Sequence, residues 1–288
     1  MQNQDSSVTF YDVCERATNA AIEQRQLFCV DLDHCHHKFR SFDIKVLAVV
    51  YSQFQEIMLL DADTLFFQNP MTLWDTVKYK STGTLFFNDR ISYDLSYLAK
   101  RTSSDNIDFS FQPSEFLVNS HVWALRSGHQ MDSSLMLWNK ARQPRATVIL
   151  ASFVSLNGLR MAPSYGDKEL YWLACELAET TYEFSDYAVG SVGWELLAEG
   201  RQNDGVLCGD ALQHYPVRRN SAVGLEADAE PLYMNSDNIL EWGRDSRRLY
   251  RTAARPAAFY PGSFTERKLL QTCLFDVTIL ELAPLEAV

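Results

Sequence analysis

The sequence predicts an α/β sandwich with a mostly parallel central sheet. Three observations carry this. Ile57-Met58-Leu59-Leu60 is a continuous apolar run without polar alternation, the pattern of a strand buried on both faces. Leu85-Phe86-Phe87 repeats it. Asp167 opens a helical pattern whose Leu170, Leu173, Ala174 and Leu177 fall at i, i+3, i+4 and i+7. Strands alternating with helices define this class. The 288 residues are 47% hydrophobic and 22% charged, enough apolar material for a full core, which excludes a disordered or fibrous chain. No internal period and no Pro/Ser/Gly-rich linker divides residues 1–288, so one domain is expected.

The elements follow in order. Residues 12–26 read as a helix and Phe28-Cys29-Val30 as a short strand. Asp31, Asp33, His34, Cys35, His36 and His37 then resemble a metal site on paper, but no partner pair with ligand spacing follows, and a polar loop is the favoured reading. From Asp43, the positions Ile44, Leu47, Val50, Tyr51 and Phe54 suit a helix, with a strand over Val46–Tyr51 left open. The strand 57–60 ends in Asp61-Ala62-Asp63. Asn69-Pro70 supplies a cap and a first-turn proline for a helix carrying Leu73, Trp74 and Val77, and Gly83 can end it in the left-handed conformation. The strand 85–87 ends at Asn88-Asp89. A polar loop, His129 to Ser134, leads into a strand over Leu135–Trp138, and residues 145–157 form a helix stopped by Gly158. Short strands near 187–192, 205–208 and 231–234 complete the pattern.

Charge narrows the function. With 26 Lys and Arg against 37 Asp and Glu, the net charge is −11, and the acids are spread along the chain. Such a field repels a nucleic-acid backbone. It still admits a small anionic substrate if a metal ion lies between the two. The longest purely apolar run, Val46–Tyr51, is far short of the about 20 residues of a membrane span. The first residues show neither the basic nor the apolar part of a secretory signal. No two of the six cysteines form a Cys-x-x-Cys pair; buried free thiols are favoured, with one or two disulfides left open.

The chemistry points to Asp61 and Asp63, two carboxylates at the C-terminal end of a buried strand, where ligands bind in open α/β sheets. Residues i and i+2 share a face, and oxygen ligands of this type suit Mg²⁺ or Mn²⁺ bridging to a diphosphate. Acidic residues after a strand also occur as a merely solvated turn.

Lys45-Val46-Leu47-Ala48, Ser52-Gln53-Phe54, Ile57 to Asp63, Asn69-Pro70 and Leu73-Trp74 resemble the centre of the fungal-type α-1,3-mannosyltransferases of the Mnn1 kind, glycosyltransferase family 71. Gln130–Lys140 and Gly166-Asp167-Lys168-Glu169-Leu170-Tyr171-Trp172 are similar to two later blocks, and the resemblance is strongest over 38–240. It implies a GT-A-like (Rossmann-like) three-layer sandwich and transfer of a hexose from a nucleotide sugar to a glycan or glycoprotein hydroxyl, with retention. GDP-mannose is the favoured donor and a UDP-hexose the other candidate, with Mn²⁺ or Mg²⁺ as cofactor. Asp63 would bind the metal, and Asp61 the metal or the nucleotide. Asp167, also a favoured helix-cap residue, would face the transferred sugar or the acceptor. Lys45 would approach the diphosphate, although a lysine on such a helix is also a common solvated group. Asp132, Ser133 and Ser134 would bind donor hydroxyls, although turn chemistry explains them too. His214 is the candidate third metal ligand, and Asn235 stands where a His would otherwise be expected. The family's opening nucleotide-binding strand is not evident in residues 1–30, so an N-terminally truncated domain is expected; relatives of this kind are Golgi membrane proteins.

Two other readings compete. Leu60-Asp61-Ala62-Asp63-Thr64-Leu65 fits the first motif of haloacid-dehalogenase-like phosphatases, with Asp61 as nucleophile and Asp63 as general acid. The late acidic pair of that superfamily is missing, and Asn69-Pro70 interrupts the helix it requires. An inactive relative that binds glycans without turnover is the third reading.

Overall fold

A computed structural model describes residues 42–91, 113–124, 126–155, 166–193, 205–216, 229–236, 249–257, 273–274 and 276–282. The expected helix over 12–26, the strand over 28–30 and the Asp31–His37 cluster lie outside these residues.

Helix α1 (Asp43–Tyr51) settles the choice left open for this segment. Its buried face is Val46, Leu47 and Val49, whereas Ile44 is exposed and Phe54 lies beyond the helix end. The expected face is therefore rotated. Val46 to Val50 is apolar all round, so packing against α4 (Pro144–Ser155), rather than periodicity, decides which side goes in.

Strand β1 (Glu56–Leu60) pairs antiparallel with β4 (Met131–Asn139), from Glu56 opposite Asn139 to Leu60 opposite Leu135. Strand β3 (Thr84–Asn88) pairs antiparallel with the other edge of β4, giving the order β1-β4-β3. A second, six-stranded sheet is antiparallel throughout. Its order is β11 (Ile279–Glu281), β9 (Tyr250–Thr252), β5 (Gly190–Gly193), β7 (Asp210–Tyr215), β8 (Glu230–Asn235) and β2 (Thr64–Phe66). The expected mostly parallel, Rossmann-like sheet is thus corrected to antiparallel sheets. An unbroken apolar run reports burial, which strands of either direction achieve; the chain connections set direction. The apolar run at β1 predicts burial on both faces, but its residues are only partly covered and its two ends are exposed.

The three-stranded sheet is a middle layer. Ile57, Leu59, Phe86, Met136 and Trp138 face α1, α3 (Glu115–Asn119), α4 and α5 (Leu170–Leu177). Met58, Leu85, Phe87, Leu135 and Leu137 point the other way. There they meet Leu73 and Trp74 of a 3-10 turn (Pro70–Asp75), Tyr79 of α2 (Val77–Thr82), and Phe66, Tyr215, Leu232 and Tyr233 of the six-stranded sheet. The period-2 alternation of β3 and β4 thus fills two cores at once.

The expected helix after Asn69-Pro70 forms in two pieces. Asn69 accepts from the Met71 N–H at 3.0 Å to open the 3-10 turn. Thr76 then caps α2, and Gly83 closes it at φ +81°. The loop expected over 129–134 is strand from Met131 onward, because its polar side chains find buried partners in distant segments. The helix expected from Asp167 begins at Leu170, after a turn over 166–169. Short strands β6 (Leu207–Cys208) and β10 (Cys273–Leu274) pair, and Cys208 and Cys273 form a disulfide, while Cys175 is a buried free thiol. Among the described residues no helix is long and apolar enough to cross a membrane.

Candidate active site

β1 and β3 run in the same direction with β4 reversed between them. The C-terminal ends of β1 and β3 and the start of β4 therefore share one edge. This edge collects Asp61-Ala62-Asp63, Asn88-Asp89 and Gln130 to Ser134.

Asp61-Ala62-Asp63 is the crossing between the two sheets. The Asp61 N–H donates to the Ser134 carbonyl at 2.9 Å, extending the β1–β4 ladder. The Ser236 N–H donates to the Asp63 carbonyl at 3.1 Å, extending the β2–β8 ladder. The Asp63 carboxylate accepts from Asn235 Nδ2 at 3.0 Å. The Asp61 carboxylate is ion-paired with the Lys45 ammonium.

The turn Gly166-Asp167-Lys168-Glu169 clasps this edge from three points. Gly166 sits at φ +70°, and a Cβ there would lie 2.8 Å from Phe42 Cγ, so the close approach of α1 requires glycine. Asp167 is buried and accepts from Ser133 Oγ at 3.1 Å and Tyr171 OH at 2.8 Å, with Lys45 Nζ 4.0 Å away. Burial raises its carboxyl above the usual range, against the pull of Lys45, Tyr171 and Ser133. Lys168 is ion-paired with Asp89. Glu169 is fully buried. Its Oε1 accepts from the Gln130 and Met131 N–H groups at 2.9 and 3.1 Å, and its Oε2 from Trp172 Nε1 at 2.7 Å. Burial pushes this carboxyl up to about 7.

Asp132, Ser133 and Ser134 stand on β4 itself, each buried. Asp132 accepts from the Ser134 N–H at 3.0 Å and from Gln213 Nε2 at 3.2 Å, while Ser134 Oγ lies 3.2 Å from Tyr233 OH as its donor. Burial and the neighbouring Asp89 raise the Asp132 carboxyl. Asp89 is buried too, but Lys168 outweighs that cost and holds its carboxyl low.

Lys45, Asp61, Ser133 and Asp167 are thus brought into one network, with Asp132 and Ser134 beside it and Asp63 one residue along. His214 is placed elsewhere. It follows Gln213 on β7 and points the opposite way, its Nε2 3.2 Å from the Thr252 carbonyl and its ring against Gly190, and burial lowers it to about 4. The side chain observed at Asp63 is Asn235. Among the described residues no group of three His, Cys, Asp or Glu side chains is arranged to hold a metal. Two carboxylates still fit a Mg²⁺-type ion, which keeps waters and shares substrate phosphates rather than needing an all-protein cage.

Sequence reasoning gave no role to Asn88, Asp89, Lys168, Glu169, Gln213 or Tyr233. The polar ends of apolar runs and the Gly-Asp-Lys-Glu block signal the first four. Gln213 and Tyr233 carry no local signal, since only strand alternation in the folded sheet turns them to this edge.

The edge thus combines acidic side chains with buried hydroxyl, amide and ammonium groups. Residues 3–215 match the family model described as "Mannosyltransferase putative", and the chain belongs to that family. It is 30% identical over 167 residues to the Candida albicans protein named "Putative alpha-1,3-mannosyltransferase MNN14", which covers 54% of this chain and 24% of that protein. A second Candida albicans protein, "Putative alpha-1,3-mannosyltransferase MNN12", is 31% identical over 180 residues, 56% of this chain and 20% of its own length. The Saccharomyces cerevisiae "Alpha-1,3-mannosyltransferase MNT3" is 25% identical over 188 residues, 57% of this chain and 29% of its own. The matches span about a quarter of these curated relatives. Family membership replaces the phosphatase reading of Asp61.

Proposed function

We propose that this chain carries the catalytic centre of an α-1,3-mannosyltransferase, moving mannose from GDP-mannose to a glycan or glycoprotein hydroxyl with retention. The observation that carries the reading is the Asp61-Ala62-Asp63 crossing, set beside Lys45, Asp167 and the Asp132–Ser134 strand in a member of a mannosyltransferase family. Asp61 and Asp63 would hold Mn²⁺ or Mg²⁺, with Asn235 Nδ2 donating to the Asp63 carboxylate and so orienting it. When bound, the ion supplies positive charge against the departing diphosphate.

The chain's own groups orient the sugar. A carboxylate has about four acceptor sites, so Asp132 can receive a donor hydroxyl beyond its internal bonds. Ser133 and Ser134 offer hydroxyls from a rigid strand, and Asp167 fixes the rotamer of Ser133 while facing Lys45. Preorganised groups of this kind act without reorganising during the reaction. No covalent nucleophile is assigned. Attack on the face that the leaving phosphate vacates therefore accounts for retention, and an inverted product anomer by NMR would exclude it. The Cys208–Cys273 disulfide supports an oxidising compartment such as the Golgi lumen.

Calorimetry of GDP and UDP with Mn²⁺ and then EDTA tests the site. GDP binding is expected with Mn²⁺ and lost with EDTA or in Asp63→Ala. That variant removes the acceptor of the Asn235 amide, worth about 1 kcal/mol, and should keep its fold. Undiminished Mn²⁺-dependent binding in Asp63→Ala would overturn the assignment.

A further inference from the structure

Lys45 is not a solvated helix-face lysine. Its side chain is 23% exposed, its ammonium is paired with Asp61 and lies 4.0 Å from Asp167, and it stands 5.7 Å from the centre of the Phe42 ring. The helix that carries it is fixed by buried Val46, Leu47 and Val49, and Phe42 is packed against Gly166. The cation is therefore built into the position a divalent ion would approach at Asp61.

We infer that Lys45 is a resident counter-ion that makes metal and nucleoside diphosphate binding cooperative. The inference rests on the reading of Asp61 and Asp63 as metal ligands. In the free protein the ammonium neutralises Asp61 and repels a second cation, so the site holds a divalent ion weakly. A diphosphate offers Lys45 an alternative anion and frees Asp61 for the ion. Each ligand then raises the affinity of the other by the same factor, as linkage requires. The arrangement keeps an acid-rich edge from loading an ion before its nucleotide arrives, and it makes Lys45 a positioning residue for the metal as well as a contact for the donor.

Lys45→Met keeps a long side chain for packing and removes the charge; Lys45→Arg keeps the charge. Calorimetry with Mn²⁺ alone, and with GDP at saturating Mn²⁺, separates the two roles. For Lys45→Met, Mn²⁺ alone should bind about tenfold tighter and GDP about tenfold weaker, a size between the water-like and protein-like limits for charges about 4 Å apart. Lys45→Arg should follow the wild type in both. If Lys45→Met binds Mn²⁺ no more tightly than wild type while Asp63→Ala still abolishes binding, the inference falls and the metal assignment stands. If Asp63→Ala leaves Mn²⁺ binding intact, or if neither wild type nor Lys45→Met takes up the ion, the metal assignment falls and the inference with it.

Discussion

Replacing Glu169 with Gln isolates the buried carboxyl that ties the start of β4 to α5. Its value is raised from an ordinary 4.5 to about 7 by burial, opposed by the Gln130, Met131 and Trp172 donors. Between pH 4.5 and 7 the folded chain therefore keeps a proton that the unfolded chain has released. The stabilisation this provides is complete below the unfolded value and is lost as pH rises through the window. Each pH unit there is worth ~1.4 kcal/mol, so the wild type should lose ~3 kcal/mol relative to Glu169→Gln across it. Superimposed is an offset independent of pH. Gln keeps one acceptor for the Gln130 and Met131 N–H groups but turns an amide N–H₂ toward the Trp172 indole, which costs ~1–3 kcal/mol. Urea unfolding of both proteins, followed by tryptophan fluorescence from below pH 4.5 to above 7, measures the difference. A gap between the two stabilities that does not change with pH would refute the reasoning, because it would show that Glu169 titrates alike in the folded and unfolded chains.

Gly166→Ala should destabilise the chain by ~2 kcal/mol, since a non-glycine residue at φ +70° is strained and the new methyl meets Phe42; an unchanged thermal midpoint would remove the argument for close approach of α1. Cys208→Ser with Cys273→Ser opens a bridge spanning 65 residues and should cost ~4 kcal/mol by the loop-entropy relation, checked by chemical denaturation against the oxidised wild type.

Much of the local structure was legible in the sequence. The Asn69-Pro70 cap and the left-handed Gly83 carry their own chemistry within a few residues. Leu170, Tyr171 and Trp172 pack behind a turn already marked by Gly-Asp-Lys-Glu. What was hidden depends on partners far away in the chain. Asp132, Ser133 and Ser134 look like loop residues until Gln213, Tyr233 and Asp167 arrive to satisfy them, and only then is a strand of polar residues affordable in a core. Sheet direction was illegible because Leu85-Phe86-Phe87 would be equally apolar beside a parallel neighbour. His214 was a reasonable metal ligand by residue type. Its neighbour Gln213 turns to the edge, and alternation along β7 carries the imidazole away.

Ala62 alone separates the last bond of one sheet from the first of the other. Any sliding of the two sheets past each other is therefore felt as a change in the spacing of the flanking carboxylates, and an ion gripped by both would resist that sliding as a pin resists a hinge. Occupancy of this crossing, if Asp61 and Asp63 hold an ion as proposed, would thereby become a mechanical property of both sheets, stiffening β1, β2 and β8 together from a contact at their ends.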